Sequence, residues 1–269
     1  MGVYRLTDYR NMRLKVPAGQ IELPRIDAKR LEYLFRELVV HDSGGYTLLG
    51  NKPVSFISFS KPVLRLDFLH LWHAFSPSNL KKYLAWKTFQ KYKHLFNQGD
   101  LLIWAERSPW VEHGALIVVA SKRQMVRVVS ENRTDFMCDL RACPTKEHQL
   151  LFRKALQFHE GLLGMLLGYG RANAMLFHTQ ERALLNPIFS EEMDRLFSSP
   201  KVALNFTLGW PHIGTREALL FPSFMADVQT EETQRLKQDY MHTREMILNY
   251  YEDKNFLEAT LQLLLPAGV

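Results

Sequence analysis

Cysteine is nearly absent: two residues, Cys138 and Cys143, in a chain of 269. Two thiols cannot staple so long a chain, so the fold must stand on its buried core. Four residues separate them, and no second pair follows to complete a zinc ribbon. Long hydrophobic runs are missing as well. The longest uncharged apolar stretch, Gly161 to Gly170 between Glu160 and Arg171, spans about 15 Å as a helix, half of a bilayer's hydrocarbon core. No transmembrane segment is expected. The N-terminus, MGVYRLTDYRNMRLKVPAGQ, has charges and no apolar core, so it does not read as a secretory signal. Leu6 stands where N-myristoylation requires Ser or Thr. The sequons at Asn132 and Asn205 carry no meaning without a secretory route. The expected location is a reducing cytoplasm, with export by some other signal left open. Internal repeats, low-complexity tracts and interdomain linkers are also lacking.

What is present is globular in composition: 46% hydrophobic, 23% charged and a formal net charge of +6. Residues 1–26 are basic and interrupted by Pro17, Gly19 and Pro24, and read as an arm or extension; residues 27–269 read as one domain. Asp27 is a plausible N-cap, with Leu31, Leu34, Phe35 and Leu38 following at helical spacing until Ser43-Gly44-Gly45 breaks the pattern. Tyr46–Leu49 and Val54–Phe59, about a Gly50-Asn51-Lys52-Pro53 turn, predict a hairpin. A helix is expected from Ser78 to Phe96. Leu101–Ala105 and Ala115–Ala120 are strand candidates whose continuous apolar runs suit central strands buried on both faces. Charges at Arg123, Arg127, Glu131 and Asp135 recur every four residues and favour helix over Lys122–Leu140. Pro144 opens a long helical stretch to about Leu185. Pro187, Pro200, Pro211 and Pro222 punctuate an irregular region with one short helix near Ser190–Phe197. Thr230-Glu231-Glu232 caps a last helical stretch to about Leu265, broken near Lys254-Asn255. The expected fold class is α+β: a mostly helical single domain with a small, hairpin-rich, mainly antiparallel sheet.

Two segments carry a resemblance: Ser43-Gly44-Gly45-Tyr46-Thr47-Leu48-Leu49-Gly50-Asn51-Lys52-Pro53-Val54-Ser55-Phe56, and His159 through Ala174, which reads HEGLLGMLLGYGRANA. With the strand and helix at 114–140 between them, the chain over about residues 27–255 resembles an uncharacterised family of hypothetical proteins from Chlamydia-like and Legionella-like intracellular bacteria. The resemblance implies a bacterial source and, more loosely, an intracellular lifestyle. It brings no activity, cofactor or catalytic residue.

The motifs exclude more chemistry than they offer. Gly45-x4-Gly50 mimics half a phosphate loop, but Asn51 precedes the lysine, Pro53 replaces the hydroxyl residue and a strand-like run follows. Asp67, His70 and His73 fall on adjacent turns of a hypothetical helix, too few ligands for a metal site without a fourth group; a polar helix face explains them. Cys143 precedes a helix start, where a thiolate is stabilised, yet an ordinary thiol is the plainer account. There is no Gly-x-Ser-x-Gly elbow and no dinucleotide fingerprint. No cofactor and no metal are implied. Lys81, Lys82, Lys87, Lys91 and Lys93 interleave with Tyr83, Trp86, Phe89 and Tyr92, which raises the nucleic-acid question. On a helical wheel the charge is spread round the helix, so lysine stems covering rings account for it better.

The most specific signal is a glycine stripe. Gly161, Gly164 and Gly168 share one helix face at i, i+3, i+7 and leave a groove without side chains, with Gly170 or the Tyr169-Gly170 pair breaking the helix. Each glycine costs about 1 kcal/mol of helix stability relative to Ala, which a closely docked neighbour offsets. Two functional readings follow. The first is a non-catalytic interaction or structural protein with a protein partner, suggested by the lack of catalytic motifs and by 12% aromatic residues. The second is an enzyme whose pocket lies between the 44–56 hairpin and the 159–173 helix, with Lys52, His159, Glu160, Arg171 and Asn173 as its polar groups.

Overall fold

Alternation along the most apolar run sets the architecture. In a computed structural model that describes residues 13–16, 19–60, 76–96, 99–110, 113–140, 148–185, 219, 222, 224 and 226–265, strand β5 (Gly114–Ser121) is buried at every position. It lies between β3 (Val54–Ser60) and β4 (Leu101–Arg107), antiparallel to both. Ile57 faces Ile117, and Trp104 faces Val118. Odd-numbered residues of β5 point into one apolar layer with Ile57, Phe59 and Ile103; even-numbered ones point into another with Val54 and Trp104. A short hairpin, β1 (Arg13–Val16) with β2 (Gly19–Glu22), precedes this sheet within what reads from sequence as a loose arm.

Helices cover both faces. The first layer holds α1 (Arg25–Arg36, continued by a π-helical turn Glu37–His41), α3 (Pro77–Tyr92), α9 (Glu231–Tyr251) and α10 (Phe256–Leu264). Leu31, Leu34, Phe35 and Leu38 are fully buried, as their spacing requires. Asp27 is not the N-cap of α1. It sits inside the first turn, and accepts hydrogen bonds from Lys91 Nζ (2.8 Å) and Tyr92 Oη (2.7 Å). The second layer holds α4 (Lys122–Glu131), α5 (Arg133–Leu140), α6 (His148–Phe158), α7 (Glu160–Leu166) and α8 (Arg171–Leu185). The chain is thus a mostly helical α+β protein with a small antiparallel sheet. No helix among the described residues is long and apolar enough to cross a membrane.

Three expectations need correction. Tyr46–Leu49 is no strand: α2 spans Gly44–Leu48, so no hairpin forms with β3. Ser43 turns left-handed (φ 58°) and starts this helix, and Tyr46 is driven fully inside, edge-on to Tyr240 at 5.5 Å. Aromatic and apolar composition signalled burial there, and burial came as a helical wedge. Second, β4 lies at an edge of the described sheet, and only β5 is the central strand that both runs predict. Third, the long helix read from Pro144 breaks at His159 as well as at the Tyr169-Gly170 position expected of it, and its described part begins at His148.

Helix α3 turns two of the rings that raised the nucleic-acid question into the core. Trp86 and Phe89 are core residues, stacked on each other at 5.4 Å, and Phe89 stacks on Phe96 at 5.9 Å. They are not available to bases. Two of its lysines pair with carboxylates, Lys82 with Glu37 (3.3 Å) and Lys91 with Asp27. The Asp67, His70 and His73 set, Cys143, Pro144 and the helix near Ser190–Phe197 lie outside the described residues; Cys138 falls within α5.

Candidate functional site

The junction foreseen between residues 44–56 and 159–173 exists, built by different elements. His159 opens α7: its Nδ1 accepts the Leu162 N–H (3.1 Å), so the ring serves as an N-cap, stacked on His178 with centroids 4.1 Å apart. Glu160 is exposed in the first turn. Gly161 and Gly164 face α8, as the stripe predicts: a Cβ on Gly164 would lie 2.9 Å from Ala174 Cβ, and one on Gly161 2.8 Å from Met175 Sδ. Gly168 does not belong to that stripe. It lies beyond the helix at φ +81°, where its N–H bonds Met165 O (3.0 Å) and the Tyr169 N–H bonds Gly164 O (3.0 Å). That pair of bonds is a Schellman ending, which requires the left-handed conformation glycine adopts most cheaply.

The turn Leu167–Gly170 is held from three sides. Lys52, only 3% exposed, donates from Nζ to Leu167 O (2.6 Å) and Val54 O (2.8 Å). Tyr240 Oη donates to Gly168 O (2.6 Å). Glu232 supplies the cap that Gly170, lacking a side chain, cannot give to α8: its carboxylate accepts the N–H groups of Arg171 and Ala172, both at 2.8 Å. A Cβ on Gly170 would stand 2.7 Å from the Glu232 carboxyl carbon. Just beyond, Arg171 makes a two-pronged pair with Asp135 (2.8 and 3.1 Å), which holds the Asp135 carboxyl below its ordinary range. Asn173, 1% exposed, bonds Tyr169 O and Thr233 Oγ1 and accepts the Asp227 N–H.

Lys52, Arg171 and Asn173 therefore each serve a structural bond, and His159 lies at the other end of α7. The five polar candidates do not assemble into one reactive group. What the junction does create is a cleft of about 240 Å³. Asn51, Pro53, Met165, Gly168, Gly170 and Arg171 come from the foreseen segments; Arg127, Val128, Glu131 and Asn132 of α4, and Glu232, Leu236, Asp239, Tyr240 and Thr243 of α9, complete it. The floor is apolar and the rim carries charges of both signs.

Comparison with known proteins finds no matching family model, no matching curated protein and no matching solved structure. The site must be read from its own chemistry. Among the described residues, no three His, Cys, Asp or Glu side chains are placed to share a metal ion. Most of the rim is internally neutralised. Arg127 reaches Glu131 (3.9 Å) and the Asn51 carbonyl (3.4 Å), Arg171 is bound to Asp135, and Glu232 to the start of α8. Asp239 is exposed and is the one cleft carboxylate without an ion-pair or hydrogen-bond partner among the described residues. The walls from α4 and α9 are what sequence reading missed. They bring together positions from Asn51 to Thr243, and in the sequence only the Tyr169-Gly170 pair signalled that the helix broke there.

Proposed function

We propose that the protein is a non-catalytic interaction protein, and that the cleft between α4, the α7–α8 turn and α9 receives a positively charged side chain of a protein partner. The carrying observation is Asp239, a rim carboxylate with no ion-pair or hydrogen-bond partner among the described residues, beside Leu236, Tyr240, Val128 and Met165. A lysine or arginine stem suits that floor while its head meets the carboxylate. Volume supports the same reading: about 240 Å³ falls below the roughly 300–1,000 Å³ of small-molecule and cofactor pockets. The resemblance to proteins of Chlamydia-like and Legionella-like bacteria supports a partner from the host or from the bacterium itself.

One observation favours an enzyme instead. Burial lowers the Lys52 amine to about 7, the range of a general base. That nitrogen, however, lies behind the cleft wall with both backbone carbonyls bound, so the docking reading stands ahead.

The test is a photo-crosslinking residue at Thr243, inside the cleft, against one at Glu252, beyond the end of α9. Crosslinking in cells of the source bacterium and its host should capture a partner from Thr243 alone, and Asp239→Lys should abolish that capture. Equal capture from both positions, or capture unchanged by the charge reversal, overturns the reading.

A further inference from the structure

The mechanism of the turn holds more than its packing. Among the described residues Lys52 meets two acceptors, Val54 O and Leu167 O, and no carboxylate. A neutral amine has two N–H bonds to give; an ammonium has three and a charge to place. Among the described residues the only further partner within reach is the Tyr169 ring, 5.6 Å from Nζ to its centroid. The Tyr169 ring on the turn faces the amine and the Tyr240 hydroxyl on α9 meets Gly168 beside the Lys52 stem, while α2 reaches Lys52 through the Tyr46 carbonyl, which accepts its backbone N–H, and β3 brings no titratable residue. Burial pushes Tyr169 up to about 12 and Tyr240 higher still, so these rings are neutral. The charged groups of the neighbourhood, Arg127, Glu131, Arg171, Glu232 and Asp239, belong to the cleft, and the field of Asp239 falls on Tyr240. Desolvation is the whole cause of the depressed Lys52 value. The stem passes directly behind Gly168, whose Cβ, if it had one, would lie 3.3 Å from Lys52 Cγ, and both sequence neighbours, Asn51 and Pro53, line the cleft.

We infer that Lys52 is a proton-linked latch on the cleft: as a neutral amine it pins the Leu167–Gly170 turn, and on taking up a proton it leaves for water and lets the turn open. The reading of the cleft as a docking site gives this latch its purpose, making occupancy sensitive to pH; the latch itself operates without a partner. The sign follows from linkage. The closed state binds the proton with a pKa of about 7 and the solvated amine with the ordinary 10.5. Between those values each unit of falling pH raises the open-to-closed ratio about tenfold, and below about 7 the ratio levels off.

Amide hydrogen exchange on the free protein tests this apart from any partner, so its failure leaves the crosslinking result to judge the docking reading. From pH 9 to pH 7, after correction for intrinsic exchange, protection of the Gly168 and Tyr169 amides should fall about tenfold per unit. It should stay below the protection of Ile117 and Val118 in β5. In Lys52→Met the slope should vanish. The latch is overturned if wild-type protection at the turn is flat across that range, or equals that of β5, which would mean that only global unfolding frees it. Should Lys52→Met not fold, ¹³Cε titration of wild-type Lys52 decides: a midpoint near neutrality supports the latch, and one near 10 removes it.

Discussion

The glycines on either side of Leu167 do different work. Gly161 and Gly164 lie inside α7 with ordinary helical backbone and are small because α8 crosses close to them. Gly168 and Gly170 lie outside any helix, both at φ +81°, and are glycine because the chain reverses there. Sequence spacing puts Gly168 with the first pair; backbone geometry puts it with the second. A glycine kept for closeness is replaceable to the degree that its neighbour yields. A glycine kept for conformation is crowded and strained together.

The largest effect is therefore expected at Gly168→Ala. A left-handed conformation costs a non-glycine residue roughly 1–2 kcal/mol. The new methyl would also stand 2.8 Å from the Tyr240 hydroxyl and 3.2 Å from Pro53 Cδ, neither at the loose end of a flexible chain. A loss of about 3 kcal/mol is expected, read as a lowered urea midpoint at unchanged slope. A loss under about 1 kcal/mol would return Gly168 to the packing stripe and erase the distinction.

Gly164→Ala sharpens the other side. Here the methyl meets Ala174 Cβ at 2.9 Å and Ala174 Cα at 3.3 Å, so the helices themselves must part. Overpacking of that kind costs about 1–3 kcal/mol, offset by about 1 kcal/mol of recovered helix propensity. A net loss of about 1–2 kcal/mol is expected. Combining it with Ala174→Gly should recover part of that loss, giving a favourable coupling of about 1 kcal/mol in a double-mutant cycle. Strict additivity would mean that the two positions do not touch.

How much of this was legible depends on whether the signal was local. The fully buried β5, the α1 face at Leu31, Leu34, Phe35 and Leu38, and the close approach at Gly161 and Gly164 all follow from periodicity within ten or so residues. Tyr46–Leu49 misled because aromatic and β-branched residues mark burial more surely than they mark strand. Lys52 misled for the opposite reason. Lysine is almost never fully buried, so Lys52 reads as a polar group of an open pocket facing the 159–173 segment, and nothing in its vicinity announces that it is sealed inside with the carbonyl of Leu167, 115 positions on, as acceptor. The cleft was half visible. Its inner edge lies in the two segments singled out, whereas Glu232 reads only as part of a helix start, although its carboxylate caps a second helix 60 positions upstream.

Gly161→Ala is the smallest predicted effect and the most exacting for the comparison. Its methyl would approach Met175 Sδ at 2.8 Å, His159 Cε1 at 3.1 Å and His178 Cβ at 3.2 Å. The nearest of these is a thioether on a flexible side chain, which moves at little cost. The imidazole stack is less free, because His159 is fixed by its bond to the Leu162 N–H. Against these small penalties stands about 1 kcal/mol of helix propensity, so stability should stay within about 0.5 kcal/mol of wild type. The three alanine variants would then rank by what each methyl strikes: a left-handed turn packed on a phenol, a facing helix backbone, and a side chain able to step aside. Equal losses at Gly161 and Gly164 would show that α7 and α8 dock as one rigid seam, and the yielding of Met175 would cease to explain anything.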